Sequence, residues 1–374
     1  MAGTGGTRRR SGQRWLWVAI CVAGTFAAAT VVAVFLLPPV VYRSVDPTAD
    51  HSDARAALQS GLLTAAAALV AVVGGLVALA ETRRSNANTH VRELYTRAVD
   101  QLGSENITVR LGGIYALERI AKDSPDDQRT VVEVVSAFVR EKARPSAPAP
   151  AGPATPAGPR RLEPDVQAAL TILGRLPLRR GVHRADLTDA DLTGAELSSA
   201  NLAEARLHRT NLTGAQLNNL ILTGSALLGA NLTGARLAGA DLTNALLVEA
   251  NLTGARLDGA DLTGAVLVEA NLSRARLDGA SLKRAVLFDA DLTRASLFDA
   301  NLTDATLNLA NLTDARLNRT DLTGASLDAT ELGGADLVDA RGLVPGQLDV
   351  ASGNARTRLS TDFQRPASWP PAAS

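Results

Sequence analysis

Three hydrophobic rhythms divide the 374-residue chain. Two apolar runs come first, Trp15 to Leu37 and Leu58 to Ala80; the second is polar only at Gln59, Ser60 and Thr64. Each is near the roughly 20 residues a helix needs to cross a bilayer core. Helical stripes follow. Leu94, Tyr95, Ala98, Val99 and Leu102 share one face, and after Gly103 breaks the pattern Val109, Ile114, Leu117, Ile120 and Ala121 share another. Ser124-Pro125-Asp126 makes a turn able to cap a third helix, striped by Val131, Val134, Val135, Phe138 and Val139. Antiparallel helices on short loops suggest a HEAT-like hairpin. A shorter amphipathic helix, Leu162 to Leu176, turns Val166, Ala169, Leu170 and Leu173 to one side.

The third rhythm has a period of five. Leucine stands at every fifth position from Leu187 to Leu337, thirty-one times without a miss. Two residues before each leucine stands alanine, except at Thr210, Leu220, Ser225, Thr320 and Thr330. Neither a helix nor a flat strand has this period. It fits a coil that turns a corner once per repeat. With only 3% aromatic residues, the expected core is narrow, filled by Leu and Ala rather than rings.

Flanking charge sets the expected topology. Arg8, Arg9, Arg10 and Arg14 precede the first run, and Arg83 and Arg84 follow the second. The intervening loop balances Arg43 and Arg55 against Asp46, Asp50 and Asp53. Positive charge favours the cytoplasmic side, so a multi-pass cell-membrane protein with both termini cytoplasmic is expected. Small residues at Gly61, Ala65, Ala68, Ala71, Gly74, Gly75 and Ala78 would let helices approach closely in lipid. Competing readings are a cleaved signal peptide ending at Ala27-Ala28-Ala29 and, for the second run, a buried core helix.

The expected organisation is then a basic segment over 1–14, two membrane helices with a short external loop over 15–80, and a helical module over 81–143. A Pro/Ala-rich linker spans 144–161, with six prolines from Pro145 to Pro159. A capping helix follows over 162–182, then the solenoid and its C-terminal cap over 183–349. Gly342 to Leu348 breaks the period and closes the far end. The tail 350–374, polar and Pro-rich, is expected to be disordered.

The triplets Ala200-Asn201-Leu202, Ala240-Asp241-Leu242 and Ala260-Asp261-Leu262 resemble the pentapeptide-repeat unit A(D/N)LXX. The resemblance covers roughly 160 residues. It implies a right-handed quadrilateral β-helix with four repeats per coil, Leu and Ala pointing inward. The stretch Val109-Arg110-Leu111-Gly112-Gly113-Ile114-Tyr115-Ala116-Leu117-Glu118-Arg119-Ile120-Ala121 is similar to a helical module that precedes such repeats in some actinobacterial membrane proteins, as is Asp165-Val166-Gln167-Ala168-Ala169-Leu170. Stacked coils lie about 4.8 Å apart, so eight would make a rod of roughly 38 Å.

With four repeats per coil, residues twenty apart stack and each side can be read alone. One side carries Asn211, Asn231, Asn251, Asn271, Asp291 and Asn311; the opposite side carries Asp241, Asp261, Ser281, Asn301 and Asp321. Both look like structural ladders able to hydrogen-bond neighbours in the stack. A third side presents a basic ladder, Arg236, Arg256, Arg276 and Arg316, beside Asp258 and Asp278. A self-neutralised salt lattice is favoured there over an anion or partner site. The fourth presents Ala226, Leu228, Leu246, Val248, Val266, Val268, Val286 and Phe288, with Glu249, Glu269 and Asp289 at its corner. Large apolar groups in a row on a solvated wall point to an interface.

Charge and motifs narrow the function. The chain is neutral overall, with 38 basic and 38 acidic groups. From His183 to Arg341 there are 21 acidic and 13 basic groups. Some pentapeptide-repeat proteins resemble DNA in shape and charge and bind DNA topoisomerases. That alternative is weakened here by the arginine ladder, the moderate charge and the membrane tether. Four scattered histidines and the lone Cys21 offer no metal cluster, and there is no phosphate loop or nucleophile–base arrangement. No catalytic, cofactor-binding or metal-ligating residue is assigned, and no direct nucleic-acid binding is expected. The expectation is a non-enzymatic, membrane-anchored scaffold on the cytoplasmic face. It would act through an unidentified protein partner or by self-association.

Overall fold

The computed structural model describes residues 24–25, 28–29, 32–33, 52–145, 162–177, 179 and 184–371. The chain divides into two compact units, Met1–Glu93 and Leu94–Ser374.

In the first unit, residues 24–25, 28–29 and 32–33 are helical; the rest of the first apolar run, and with it the first expected span, lies outside the described residues. Helix α1 (Ser52–Leu102) carries the second run. Its stretch Gln59–Thr82, 24 residues with mean hydropathy 2.5, is the one helix among the described residues long and apolar enough to cross a membrane. Leu63, Val70, Val72 and Leu76 are all exposed, as on a helix apolar all round rather than one lying on a protein core.

The second unit contains the end of α1 and helices α2 (Ile107–Asp123), α3 (Gln128–Lys142) and α4 (Pro164–Arg175). Asn106 starts α2, its Oδ1 accepting from the Thr108 amide at 2.9 Å. At α3 the N-cap is Asp127, without a side-chain cap bond; Ser124-Pro125-Asp126 supplies the turn but not the expected cap. Pro164 opens α4, where a missing N–H costs nothing. Helices α2, α3 and α4 each pack against the other two. Ile114, Leu117, Val131, Val135, Val139, Val166 and Leu170 form their shared core. The helix expected as a cap over 162–182 thus also packs with the helices of the 81–143 segment. Two helices cannot bury these stripes alone, and α4 fills the remaining face. Leu94 and Val109, placed on buried stripes, are exposed.

A buried ion pair ties α4 to α2. The Arg110 Nε donates to Asp165 Oδ2, with Asp165 fully buried and Arg110 nearly so. Arg110 Nη1 also donates to the carbonyls of Ser104 and Glu105, at 3.1 and 2.9 Å, and Asp165 Oδ1 accepts from the Val166 amide. Each charge is thus met by several partners, which a buried pair requires.

The rod repeats one five-residue step. A bridging residue pairs with the next coil, Leu points inward, two residues turn a corner, and Ala points inward again. Every bridging residue from Asp186 to Asp321 pairs in parallel with the residue twenty later, without interruption. Four repeats therefore make one coil of a four-sided β-helix. At each corner the Ala amide donates to the Leu carbonyl three residues back, as Ala195 to Leu192 at 3.0 Å. The residue before Ala has positive φ, 71° at Gly194 and 58° at Arg284, the mark of a type II turn.

Leu and Ala fill the interior almost completely. Thr210, Ser225, Thr320 and Thr330 are buried in alanine's place. Their hydroxyls donate to the carbonyls of Leu187, Leu222, Leu297 and Leu307 at 2.7–2.9 Å, so each of these four buried hydroxyls is met. Outside, the Asn and Asp ladders act mainly within their own turns. Asn231 Oδ1 accepts from the Thr233 amide and hydroxyl, and Asp261 Oδ1 from the Thr263 amide. Bonds up the stack, such as Asn211 Nδ2 to Asp191 Oδ1 at 3.0 Å, are fewer.

Both ends of the ladder are closed. On the first coil the helices meet one bridging residue on each side. Asp186 donates to Ser136 Oγ and accepts from Arg140; Asp191 donates to the Ala143 carbonyl. Glu196 exchanges two bonds with the Gln167 side chain, and Asn201 donates to the Gly174 carbonyl at 2.9 Å. A Cβ at position 174 would lie 2.6 Å from that of Ala200, so glycine lets α4 sit directly on the coil.

At the far end the expectation of a disordered tail over 350–374 is corrected for its described residues, 350–371. Strand β1 (Asp336–Leu337) pairs in parallel with β2 (Arg358–Leu359), and α5 (Pro345–Asp349) lies between them in sequence. Thr357 takes an alanine position, buried and donating to the Leu332 carbonyl. Ser352 pairs with Glu331, which puts Gly353 in the leucine register. A Cβ there would collide with the Trp369 ring. That ring is buried and its Nε1 donates to the Ala351 carbonyl at 2.9 Å. The tail thus supplies the last coil and its plug.

Candidate interaction surface

With both edges closed, the four walls of the rod are what it offers to other molecules. The twenty-residue register assigns each outward side chain to a wall. The asparagine and aspartate walls are small and polar, with their acceptors used in their own turns. Asp321 accepts from the Thr323 amide and hydroxyl; these bonds hold its carboxyl below the usual value. Near the first coil, Arg209 bonds both oxygens of Asp189 and lowers that carboxyl likewise.

On the basic wall, Arg236, Arg256 and Arg276 bridge in sequence, and Arg316 follows Ser296. Arg276 lies 3.1 Å from Asp258 and 3.8 Å from Asp278, and Arg256 lies 3.9 Å from Asp258. Asp278 also accepts from Ser296 Oγ and the Phe298 amide. The lattice is thus half made. Its middle is internally neutralised, while Arg236 and Arg316 have no ion pair among the described residues. Exposed pairs of this kind contribute about 0–1 kcal/mol each. Beyond the lattice, Arg319 lies over the Phe298 ring, 5.2 Å from its centroid, so that aromatic group is covered.

The fourth wall is apolar. Ala226, Leu246, Val266 and Val286 bridge one above the other. Leu228, Val248, Val268 and Phe288 form a second column, joined coil to coil by backbone bonds such as Glu249 N to Val268 O and Glu269 N to Phe288 O. Leu228, Leu246 and Phe288 are exposed at 38%, 41% and 39%, and the valines are half-buried. The residues that the sequence pattern sets on this side, Leu228 among them, are therefore adjacent. Polar residues end the patch at Thr306 and Asn308. Among the described residues no group of three or more His, Cys, Asp or Glu could hold a metal ion.

The comparisons with known proteins fall on this rod. Eight copies of the family described as Pentapeptide repeats match between residues 185 and 341. Among solved structures, the chain is similar to HetL, a pentapeptide repeat protein involved in heterocyst differentiation regulation from the cyanobacterium Nostoc sp. strain PCC 7120. Identity is 33% over 47% of this chain and 77% of that one, with a TM-score of 0.41. It is also similar to a pentapeptide repeat protein of the Arabidopsis thaliana thylakoid lumen, at 27% identity over 35% and 72% of the two chains, TM-score 0.17. A trypsin-treated form of QnrB1, a plasmid-mediated fluoroquinolone resistance protein, matches at 15% identity over 48% and 88%, TM-score 0.27. No curated protein matches the chain. Eight matched copies on an unbroken four-sided ladder, with a relative one-third identical across most of its length, place the chain in the pentapeptide-repeat family.

Proposed function

We propose that this protein is a membrane-held, non-catalytic docking rod that binds another protein surface through its apolar wall. The observation that carries this is the stacked patch around Val266, Val268, Val286 and Phe288 on a rod whose interior is already full. The fold cannot bury these groups itself, and its capped ends direct contact to the sides. The apolar stretch Gln59–Thr82 supports an anchor. The charge flanks support both termini on the cytoplasmic side, with the first apolar run as the second span.

A topoisomerase-directed, DNA-like role is the other reading of such a rod. Duplex-like binding needs a continuous acidic surface, and here the arginine wall and the apolar wall occupy two of four sides.

The test is the full-length chain against Val266→Thr/Val286→Thr/Phe288→Gln. Both forms should stay in the membrane pellet after alkaline carbonate washing. After chemical crosslinking in the membrane and extraction in detergent, the parent should run as a complex larger than its monomer and the variant as a monomer, with the melting temperature of the variant unchanged. Release of the parent by carbonate removes the anchor from the proposal. An undiminished complex in the variant removes the wall.

A further inference from the structure

The borders of the apolar wall say what can cover it. Two corner ridges flank the patch, and every residue on them has positive φ, as corner residues here do. One ridge is Asn244, Gly264, Arg284 and Asp304; the other is Glu249, Glu269, Asp289 and Leu309. None of Arg284, Glu249, Glu269 and Asp289 takes part in an ion pair among the described residues of its own chain. Arg284, Glu249, Glu269 and Asp289 are all exposed.

We propose that the wall is covered by the same wall of a second copy, the two rods running parallel about a twofold axis along their length. This rests on the reading of the wall as a docking surface. When two identical walls face each other, the axis direction decides which ridges meet. An axis along the rods swaps left for right and keeps each coil level. Arg284 then stands opposite the partner's Asp289, twice by symmetry, and Asn244 stands opposite the partner's Glu249. Uncharged Gly264 stands opposite the partner's Glu269. Between the ridges the column of Val266 meets the column of Val268. An axis across the rods instead sets the acidic ridge against itself, three carboxylates against three. Like charges held together at a desolvated contact oppose association, so the parallel pair is selected.

The size of the patch fits a tethered pair. Four coils of about 4.8 Å and a side of about 10 Å give roughly 200 Å² on each rod. A stable complex in dilute solution buries about 800 Å² per partner. The contact is therefore weak unless both copies share a membrane, where tethering raises their effective concentration. In the parallel pair both chains enter their rods at the same end.

The test reconstitutes donor- and acceptor-labelled full-length chains in phosphatidylcholine vesicles and follows energy transfer as lipid dilutes them. Arg284→Asp and Asp289→Arg should each weaken association about tenfold, since each turns two attractive contacts repulsive. The double variant Arg284→Asp/Asp289→Arg should return to within about threefold of the parent, because the swapped charges face each other again. Both substitutions lie on exposed corners, so melting temperatures of all three variants should stay within a degree or two of the parent. A double variant as weak as the single ones, or single variants that associate like the parent, overturns the parallel pair. The Val266→Thr/Val286→Thr/Phe288→Gln chain separates the two levels. If it loses association while the charge variants do not, the wall docks but not in this arrangement. If it too behaves like the parent, the docking reading falls with the pair.

Discussion

Leu262→Asp is expected to cost the second unit about 5 kcal/mol or more, from lost packing together with a carboxylate forced into an apolar interior. Leu262 is fully buried, stacked between Leu242 and Leu282, which are equally inaccessible. No water or basic group reaches this column, so the new carboxyl must either ionise unpaired or push the coil open. In a solenoid each coil touches only its neighbours. A breach in the middle therefore also uncouples the two halves, and the single unfolding transition should broaden or split. Asp261→Ala, one residue away, removes only the acceptor for the Thr263 amide at 2.9 Å on the outer surface and should cost about 0.5–1 kcal/mol. Urea melts followed by circular dichroism compare the two. Equal midpoints would contradict the inward placement of the leucines.

Asp165→Ala is the second large effect expected, at about 3–5 kcal/mol, because it leaves a nearly buried guanidinium without its counter-charge. The Ser104 and Glu105 carbonyls still accept from Arg110, and Glu163 lies 3.7 Å from it. None of these replaces a carboxylate at the Arg110 Nε. The damage should spread beyond the pair. Helix α4 carries Gln167 and Gly174, which close the first coil at Glu196 and Asn201. If α4 loosens, those two amides should exchange with deuterium faster, while Asp186 and Asp191, held from α3 and its C-terminal end, change less. Asp165→Ala with parental stability and unchanged exchange at Glu196 would show that the ion pair does not hold the cap.

The rod was legible in the sequence because its unit is short and its chemistry uniform. An inward Leu and Ala every five residues leave no alternative register, and the register alone places Val266, Val286 and Arg276 on their walls. What escaped depends on contacts distant in the chain. Arg110 and Asp165 are 55 residues apart across a proline-rich stretch. The resemblance to a helical module covers both stretches, but no period pairs these two side chains, and a charge on a helical stripe reads as solvated until its partner is located. The three-helix packing escaped for the same reason. The C-terminal cap was hidden by composition. Thr357-Arg358-Leu359 is a degenerate repeat unit set 22 residues after Ala335-Asp336-Leu337, off the twenty-residue register. Gly353 with Trp369 does the work of a leucine from two separate places. A polar, proline-containing tail suggested disorder, yet one buried indole supplies the apolar plug that closes the rod. The apolar wall was visible as residues, but the closed ends that leave only the sides of the rod for contact are displayed by the structure alone.

The claim that the apolar wall is the occupied side of the rod is tested most directly by photocrosslinking in intact membranes. A benzophenone-bearing residue would replace, one at a time, Val268 on the apolar wall, Thr253 on the asparagine wall, Asp258 on the arginine wall and Thr263 on the aspartate wall. These four sites lie within about one coil of each other on four different sides. Irradiation of the full-length chain should give a discrete higher-mass adduct from position 268 and none from the other three. Equal adducts from all four sides, or an adduct from any side except 268, would contradict the account.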